Sequence, residues 1–434
     1  MTQTNSFNLK NNCLPFVMWF FPLLFFALQF ILRLWPGLMM QEIMNRFSID
    51  AASFGLLAAF YYYGYAGMQI PMALLLEKFG AQKVVFIFAL LCGLSALLFT
   101  STHNFYLALL SRFLIGASSA VGFLGVSKVI SEWFSGTQYS QMVGFSFSVG
   151  LLGAVYGGKP LTQLLSTYGS QRIGLVLALC SISVGVFAYL VLRTPKSFKA
   201  KKSNELNLSH LSVVFTSKLL WILALANLLM VGALEGFADV WGVSFLTIAY
   251  GFAQSDAALL ASLIFVGMLF GGPLLAFLSK KIGDYTVIGI CGIGLALAFL
   301  VILSGNVTNW WLLGTLFFTI GLMCCYQVIV FAAGSALVSN KHLGITIAFL
   351  NCINMLGGSF FHTLIGKIMD WYWEGNLAAS GVKQYSLSSY HHALMLIPAC
   401  ALLGTVLIYL IHKHIKSQKN LKSAEPAVVT EASM

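Results

Sequence analysis

The sequence predicts an all-α membrane protein with twelve transmembrane helices in two pseudo-symmetric six-helix bundles. Three observations carry this reading. Hydrophobic residues make up 59% of the 434 and charged residues 9%, whereas a soluble globule is charged at about a quarter of its positions. The apolar residues gather into runs of roughly 18–25, the length that crosses a hydrocarbon core of about 30 Å. One clearly polar stretch, 193–217, divides those runs six and six.

The first run, 15–38, is a span and not a cleavable leader, because at about 24 residues it exceeds a signal core and no small-residue cleavage site follows it. The second and third, 53–76 and 83–101, flank a short charged connection with Glu77, Lys78, Gly80 and Lys83. The fourth, 105–130, includes Arg112; the fifth, 140–161, holds Gly150, Gly153, Gly157 and Gly158, residues that let helices approach closely in lipid. The sixth is 171–192. In the second half the runs are 218–247, which carries Glu235 and Asp239, then 256–279, 285–304, 309–336, 344–368 and 390–411. The chain therefore divides into an N-terminal bundle, 1–192, a cytoplasmic linker, 193–217, a C-terminal bundle, 218–411, and a cytoplasmic basic tail, 412–434.

Charge sets the orientation. Of the 24 Lys and Arg, Arg46, Arg172, Lys367 and Lys383 fall on one side and Arg33, Arg112, Lys128 and Lys159 within or at the ends of spans. The rest fall on the side of the termini, which the positive-inside rule makes cytoplasmic. The net charge of +11 thus reflects topology and gives no reason to expect a nucleic acid. The eight cysteines lie almost entirely in apolar runs without metal-ligand spacing, so no metal is expected. No cofactor or enzyme is expected either, since no nucleophile triad or phosphate loop is present.

The halves repeat. Ala73, Glu77, Lys78 and Gly80 after the second span match Ala276, Lys280, Lys281 and Gly283 after the eighth in offset and position, as a duplicated six-helix unit would.

Several polar residues lie where lipid should be. Arg33 in the first run costs a few kcal/mol in hydrocarbon, about 2.5–3.5 on insertion scales, so it should face a protein interior or a water path. Glu235 and Asp239, four apart, share a helix face; at 1.5 Å per residue they stand about 26–32 Å from Lys218, toward the outer half. They can carry a proton or meet an ammonium. Tyr61, Tyr65 and Gln69 form one stripe of the second span, and Asn351, Asn354, Gly358 and His362 one stripe of the eleventh. The first stripe, with Asn351 and Asn354, is expected at the substrate; His362 can titrate near neutral pH.

The segment from Gln69 to Lys83 resembles the signature loop of the major facilitator superfamily, Gly-x-Leu-x-Asp-Arg-x-Gly followed by basic residues. Ala73, Glu77 and Lys78 replace its first glycine, aspartate and arginine; Gly80 and Lys83 match. Arg112 with Gly116 and Ala120 is similar to the family's second motif. The resemblance implies alternating access, gating by Glu77, Lys78, Gly80, Lys280 and Lys281, and a latch of Glu77 on the start of the eleventh helix near Leu343 and Gly344. Arg33 before Pro36 resembles the anion ligand of the organophosphate and organic-anion branches. A second arginine in the seventh span is missing and Glu235 and Asp239 stand there, which disfavours a phosphate ester. Gly157-Gly158-Lys159-Pro160 departs from the exporter motif.

The expectation is a monomeric secondary transporter in a bacterial inner membrane. It would take up an amino acid, short peptide or carboxylate with protons, through Arg33 and Arg112 for the anion and Asp239, Glu235 and His362 for proton coupling. The alternatives are an exporter of an amphipathic compound or polycarboxylate siderophore, and a non-transporting sensor on the same fold.

Overall fold

A computed structural model of the protein describes residues 9–134, 136–195 and 211–424. Lys196, Lys199, Lys201 and Lys202 of the linker, and the tail beyond Ala424, lie outside the described residues. Among the described residues ten helical stretches are long and apolar enough to cross a membrane. One of them, Ala51–Ser101, is two spans, since Gly80 at φ 76° and ψ 162° breaks the helix. The fifth span, Thr137–Tyr156 continued by Lys159–Tyr168, is less apolar because it opens on Thr137, Gln138, Tyr139, Ser140 and Gln141. With it the spans number twelve.

The duplication visible in the sequence has a structural counterpart. Gly283 between the eighth and ninth spans has φ 88° and ψ 150°, close to Gly80, a region where a side chain would be strained. Asn104 caps the fourth span by accepting from the backbone N–H of Tyr106 and Leu107; Asn309 caps the tenth in the same way from Trp311 and Leu312. A Cβ on Gly116 would sit 1.8 Å from the carbonyl oxygen of Tyr61, and one on Gly321 2.0 Å from that of Ile264. Spans two and four, and likewise eight and ten, therefore pack backbone to backbone through small residues.

Two departures from the sequence reading have local causes. The connection after the first span is itself a helix, Met40–Phe47, seated by buried Met40, Ile43 and Met44. The last helix does not end at 411 but runs to Ala424, because no glycine or proline stands between Ile411 and Pro426. Lys413 and Lys416 ride on that extension.

The bundles meet on the side away from the chain's ends. There Gln254 donates to the carbonyl of Leu38, Lys159 pairs with Asp256 at 2.9 Å, and Cβ atoms on Gly55 and Gly366 would collide with the carbonyls of His362 and Ala51. At the other end of the second span, Glu77 and Lys78 are exposed. Among the described residues Glu77 makes no ion pair; the eleventh helix runs Leu343–Trp371. A Cβ on Gly344 would meet nothing within 4 Å.

Candidate functional site

Pro36 shapes the first span around Arg33. Its ring nitrogen has no hydrogen, so the carbonyl of Leu32, four residues earlier, loses its helical donor. Arg112 replaces it: Nη1 donates to the Leu32 carbonyl at 2.8 Å and Nη2 to that of Arg33 at 3.4 Å. The Arg112 guanidinium also lies over the Tyr61 ring, 5.1 Å from its centroid. Arg112, expected to hold an anion, is therefore turned to the backbone of the first span and is only 1% exposed. The reason is the carbonyl that Pro36 leaves without a donor. Arg112→Met is expected to lower stability by about 1–3 kcal/mol, the cost of an unmade buried hydrogen bond. Pro36→Ala restores the N–H, so the loss should shrink by about 1 kcal/mol in the double variant, read as a thermal-unfolding double-mutant cycle.

Arg33 itself reaches across to the C-terminal bundle. Its Nη2 donates to Asp239 Oδ1 at 3.0 Å and lies 3.4 Å from Glu235 Oε2, while Nε is 2.7 Å from Asp239 Oδ2. Tyr62 completes the cluster, its hydroxyl in contact with both Glu235 Oε2 and Asp239 Oδ2 and its ring 5.7 Å from the guanidinium carbon. All four groups are buried, the acids to 1% and 2% exposure and Arg33 to 8%. A guanidinium facing two carboxylates in such a place is held by pairing, since either sign alone would be prohibitive there.

The seventh span departs from α-helix where it carries the acids. Val231–Ala233 is a 3-10 turn and Leu234–Trp241 a π-helix, a widened form that recurs at functional sites. Counting from Lys218 puts both acids toward the outer half of the span. Lys218–Tyr250 is 33 residues, about 50 Å if helical throughout, longer than a bilayer core of about 30 Å. A helix of that length overhangs the core, so a count from Lys218 does not by itself fix the depth of the acids. Tyr62, on the same cluster, is about 16 Å along its helix from Ala51.

The other expected residues are distributed around this centre. Tyr61 donates to Gln29 Oε1 at 2.8 Å within its own bundle, and Tyr65 stacks on Tyr61 at 6.1 Å. Neither reaches the acids. Gln69 is buried with its Nε2 unpartnered. His362 is fully buried, 5.2 Å from the Tyr62 ring, with neither ring nitrogen hydrogen-bonded. Asn354 donates to Gln327 Oε1 at 3.4 Å, and Asn351 is half-buried. Lys280 is exposed and Lys281 lies over Phe277, 4.4 Å from its centroid; neither joins the central cluster. Gly80 turns the chain between the second and third spans.

Tyr62 is the residue that the polar stripe missed. A stripe of small residues would have found it. Gly55, Ala59, Tyr62 and Ala66 lie on one face and meet His362, Ser359, Gly358 and Cys352 of the eleventh span.

The sequence pattern of the major facilitator superfamily matches residues 18–362 and, in a second overlapping match, 241–430. The chain belongs to the major facilitator superfamily. Within this superfamily it is 21% identical over 415 residues to the lysosomal dipeptide transporter MFSD1 of Danio rerio, covering 90% of this chain and 85% of that one. It is 24% identical over 377 residues to a probable hexose phosphate transport protein of Chlamydia pneumoniae, covering 77% and 81%. Some matches are partial: a rice protein named probable anion transporter 6 aligns over 31% of this chain and 32% of its own length. Among solved structures, the nucleoside transporter NupG superposes with a TM-score of 0.73 at 14% identity, covering 92% of this chain and 99% of that one. The superfamily's members are membrane transporters and not enzymes.

Proposed function

We propose that this superfamily member is a proton-coupled secondary transporter, working as a monomer, that takes up a small organic solute bearing a carboxylate, such as an amino acid, short peptide or carboxylic acid. It sits in a bacterial inner membrane with both termini cytoplasmic, an orientation supported by the excess of Lys and Arg on the terminal side. In the present conformation its outer side is closed.

The observation that carries the reading is the contact of one phenol with two carboxylates. Tyr62 has a single hydroxyl hydrogen, yet its oxygen touches both Glu235 and Asp239. It donates to one; a hydrogen on the other carboxyl would satisfy the second contact. With one proton shared between the acids, the cluster of one guanidinium and two carboxylates is neutral, as burial favours. The acid pair is thus a proton site linked directly to the anion site.

That linkage supplies the coupling. Asp239 accepts from Arg33 Nη2 and lies 2.7 Å from Nε, so a substrate carboxylate must displace it. Protonating Asp239 weakens its hold and frees the fork, so substrate anion and proton bind in concert. The named relatives carry dipeptides, hexose phosphates and anions, all small and ionised. One guanidinium against two acids fits a carboxylate better than a doubly charged phosphate ester.

The test is reconstitution into liposomes with a trapped pH dye and an inward proton gradient. Amino acids, dipeptides, carboxylic acids and sugar phosphates are offered in turn. One carboxylate class is expected to enter and to acidify the lumen in step. Uptake without proton movement, or uptake that requires sodium, would defeat the proposal.

A further inference from the structure

We propose that Asp370, at the end of the eleventh span, is the latch of the outer gate: it caps the start of the second span, and the outer side opens only when that cap is released. The second span begins at Ala51, and its first backbone N–H groups have no partners within the helix. Asp50 accepts from Ser53 N–H at 2.9 Å. The next two donors are satisfied from the other bundle. Ala52 N–H donates to Asp370 Oδ2 at 2.7 Å and Ala51 N–H to the Tyr385 hydroxyl at 2.9 Å. The carboxylate therefore rests on the positive end of a helix in the opposite half of the molecule.

A strap holds it there. The connection between the eleventh and twelfth spans turns at Gly375 and Gly381, with φ 87° and 78°, and a bridge joins Leu377 to Lys383. This places Lys383 Nζ 2.8 Å from Asp370 Oδ1 and 3.7 Å from Asp50 Oδ2, so one ammonium ties acids of both bundles. Tyr385 also donates to Asp370 Oδ1, and Ser380 donates to Asn45 Oδ1 at 2.9 Å. Below the latch, Gly366 fits against the carbonyl of Ala51. Rocking the bundles apart at this end breaks the bonds of Ala51 and Ala52 together with the Lys383 bridge. The two spans are antiparallel, so Glu77, at the far end of the second span, lies toward the start of the eleventh, while Asp370 serves the opposite end.

The proposal concerns the gate alone and stands or falls without any proton or substrate. Met40 reports on it: buried in the closed gate, its Sδ meets Ser244 and Tyr390 of the other bundle. The full chain, with its native cysteines replaced and Met40→Cys introduced, is labelled with a maleimide in nanodiscs without substrate. Asp370→Ala is expected to raise the labelling rate about tenfold, equivalent to about 1.4 kcal/mol, and Lys383→Ala about threefold. A matching chain that keeps only Cys92, fully buried inside the N-terminal bundle, should stay unlabelled in both variants. Unchanged or slower Met40→Cys labelling in both variants overturns the proposal. If Asp370→Ala also exposes Cys92, that variant has loosened the whole fold, and Lys383→Ala, on the surface strap, decides alone.

Discussion

Asp239→Asn protein in liposomes is expected to lose substrate accumulation driven by a pH gradient while still exchanging substrate across the membrane. Asparagine keeps the shape of the side chain and one oxygen that can accept from Arg33 or Tyr62, but it cannot take a proton. Glu235 still titrates beside Arg33, but the carboxylate hydrogen-bonded to the guanidinium no longer does, so protonation no longer frees Arg33 through this residue and the gradient loses that route. Exchange needs only that the loaded carrier reorient, and it survives. Removing one charge from a buried pair also destabilises, by about 3–5 kcal/mol where nothing compensates. Here Glu235, 3.4 Å from Arg33, remains as a counter-charge, so the loss should fall well below that range. The measurement is the ratio of internal to external substrate at an imposed pH step, beside counterflow at equal pH. Accumulation above unity in the variant at an imposed pH step would remove Asp239 as the coupling acid and leave Glu235 or His362 to that role.

How much of this was legible depended on what each residue's chemistry reveals in one dimension. Arg33, Glu235 and Asp239 stand out because charge in an apolar run demands a partner, and the structure supplies that partner from the other half of the chain. Their depth was not legible, because the seventh span is longer than a bilayer core and partly π-helical, so a count from Lys218 has no fixed origin. Tyr62 was hidden for a different reason. Periodicity tells which residues share a face but not which faces meet, and the polar stripe of Tyr61, Tyr65 and Gln69 points beside the bundle interface. The interface is marked by smallness, at Gly55, Ala59 and Ala66, and by nothing polar. Pro36 was legible as a helix breaker, yet its consequence, a free carbonyl taken by Arg112 eighty residues on, is a tertiary fact. The outer latch is hidden for the same reason: Asp50, Asp370 and Lys383 read as ordinary loop charges until the fold brings both acids within 4 Å of the Lys383 ammonium.

Arg33→Lys separates anion binding from proton coupling. Lysine keeps the positive charge, so Asp239 and Glu235 retain a counter-ion and insertion into the membrane should be normal. What lysine lacks is the planar fork. Arg33 donates to Asp239 from Nη2, with Nε 2.7 Å from its other oxygen, and an incoming carboxylate could take both N–H groups of that edge. A single ammonium offers a point charge in their place, and the lost charge-assisted hydrogen bond is worth about 1.5–3 kcal/mol, or roughly a tenfold to hundredfold fall in affinity. Initial uptake rates over a range of substrate concentrations, normalised to protein in the vesicles, should therefore show a large rise in KM. Exchange and gradient-driven uptake fail together, because both require substrate to bind. In Asp239→Asn they part, since the fork is intact and only the proton is missing. Unchanged kinetics in Arg33→Lys would place the substrate anion elsewhere and leave the Arg33 pairing as a structural tie between the two bundles.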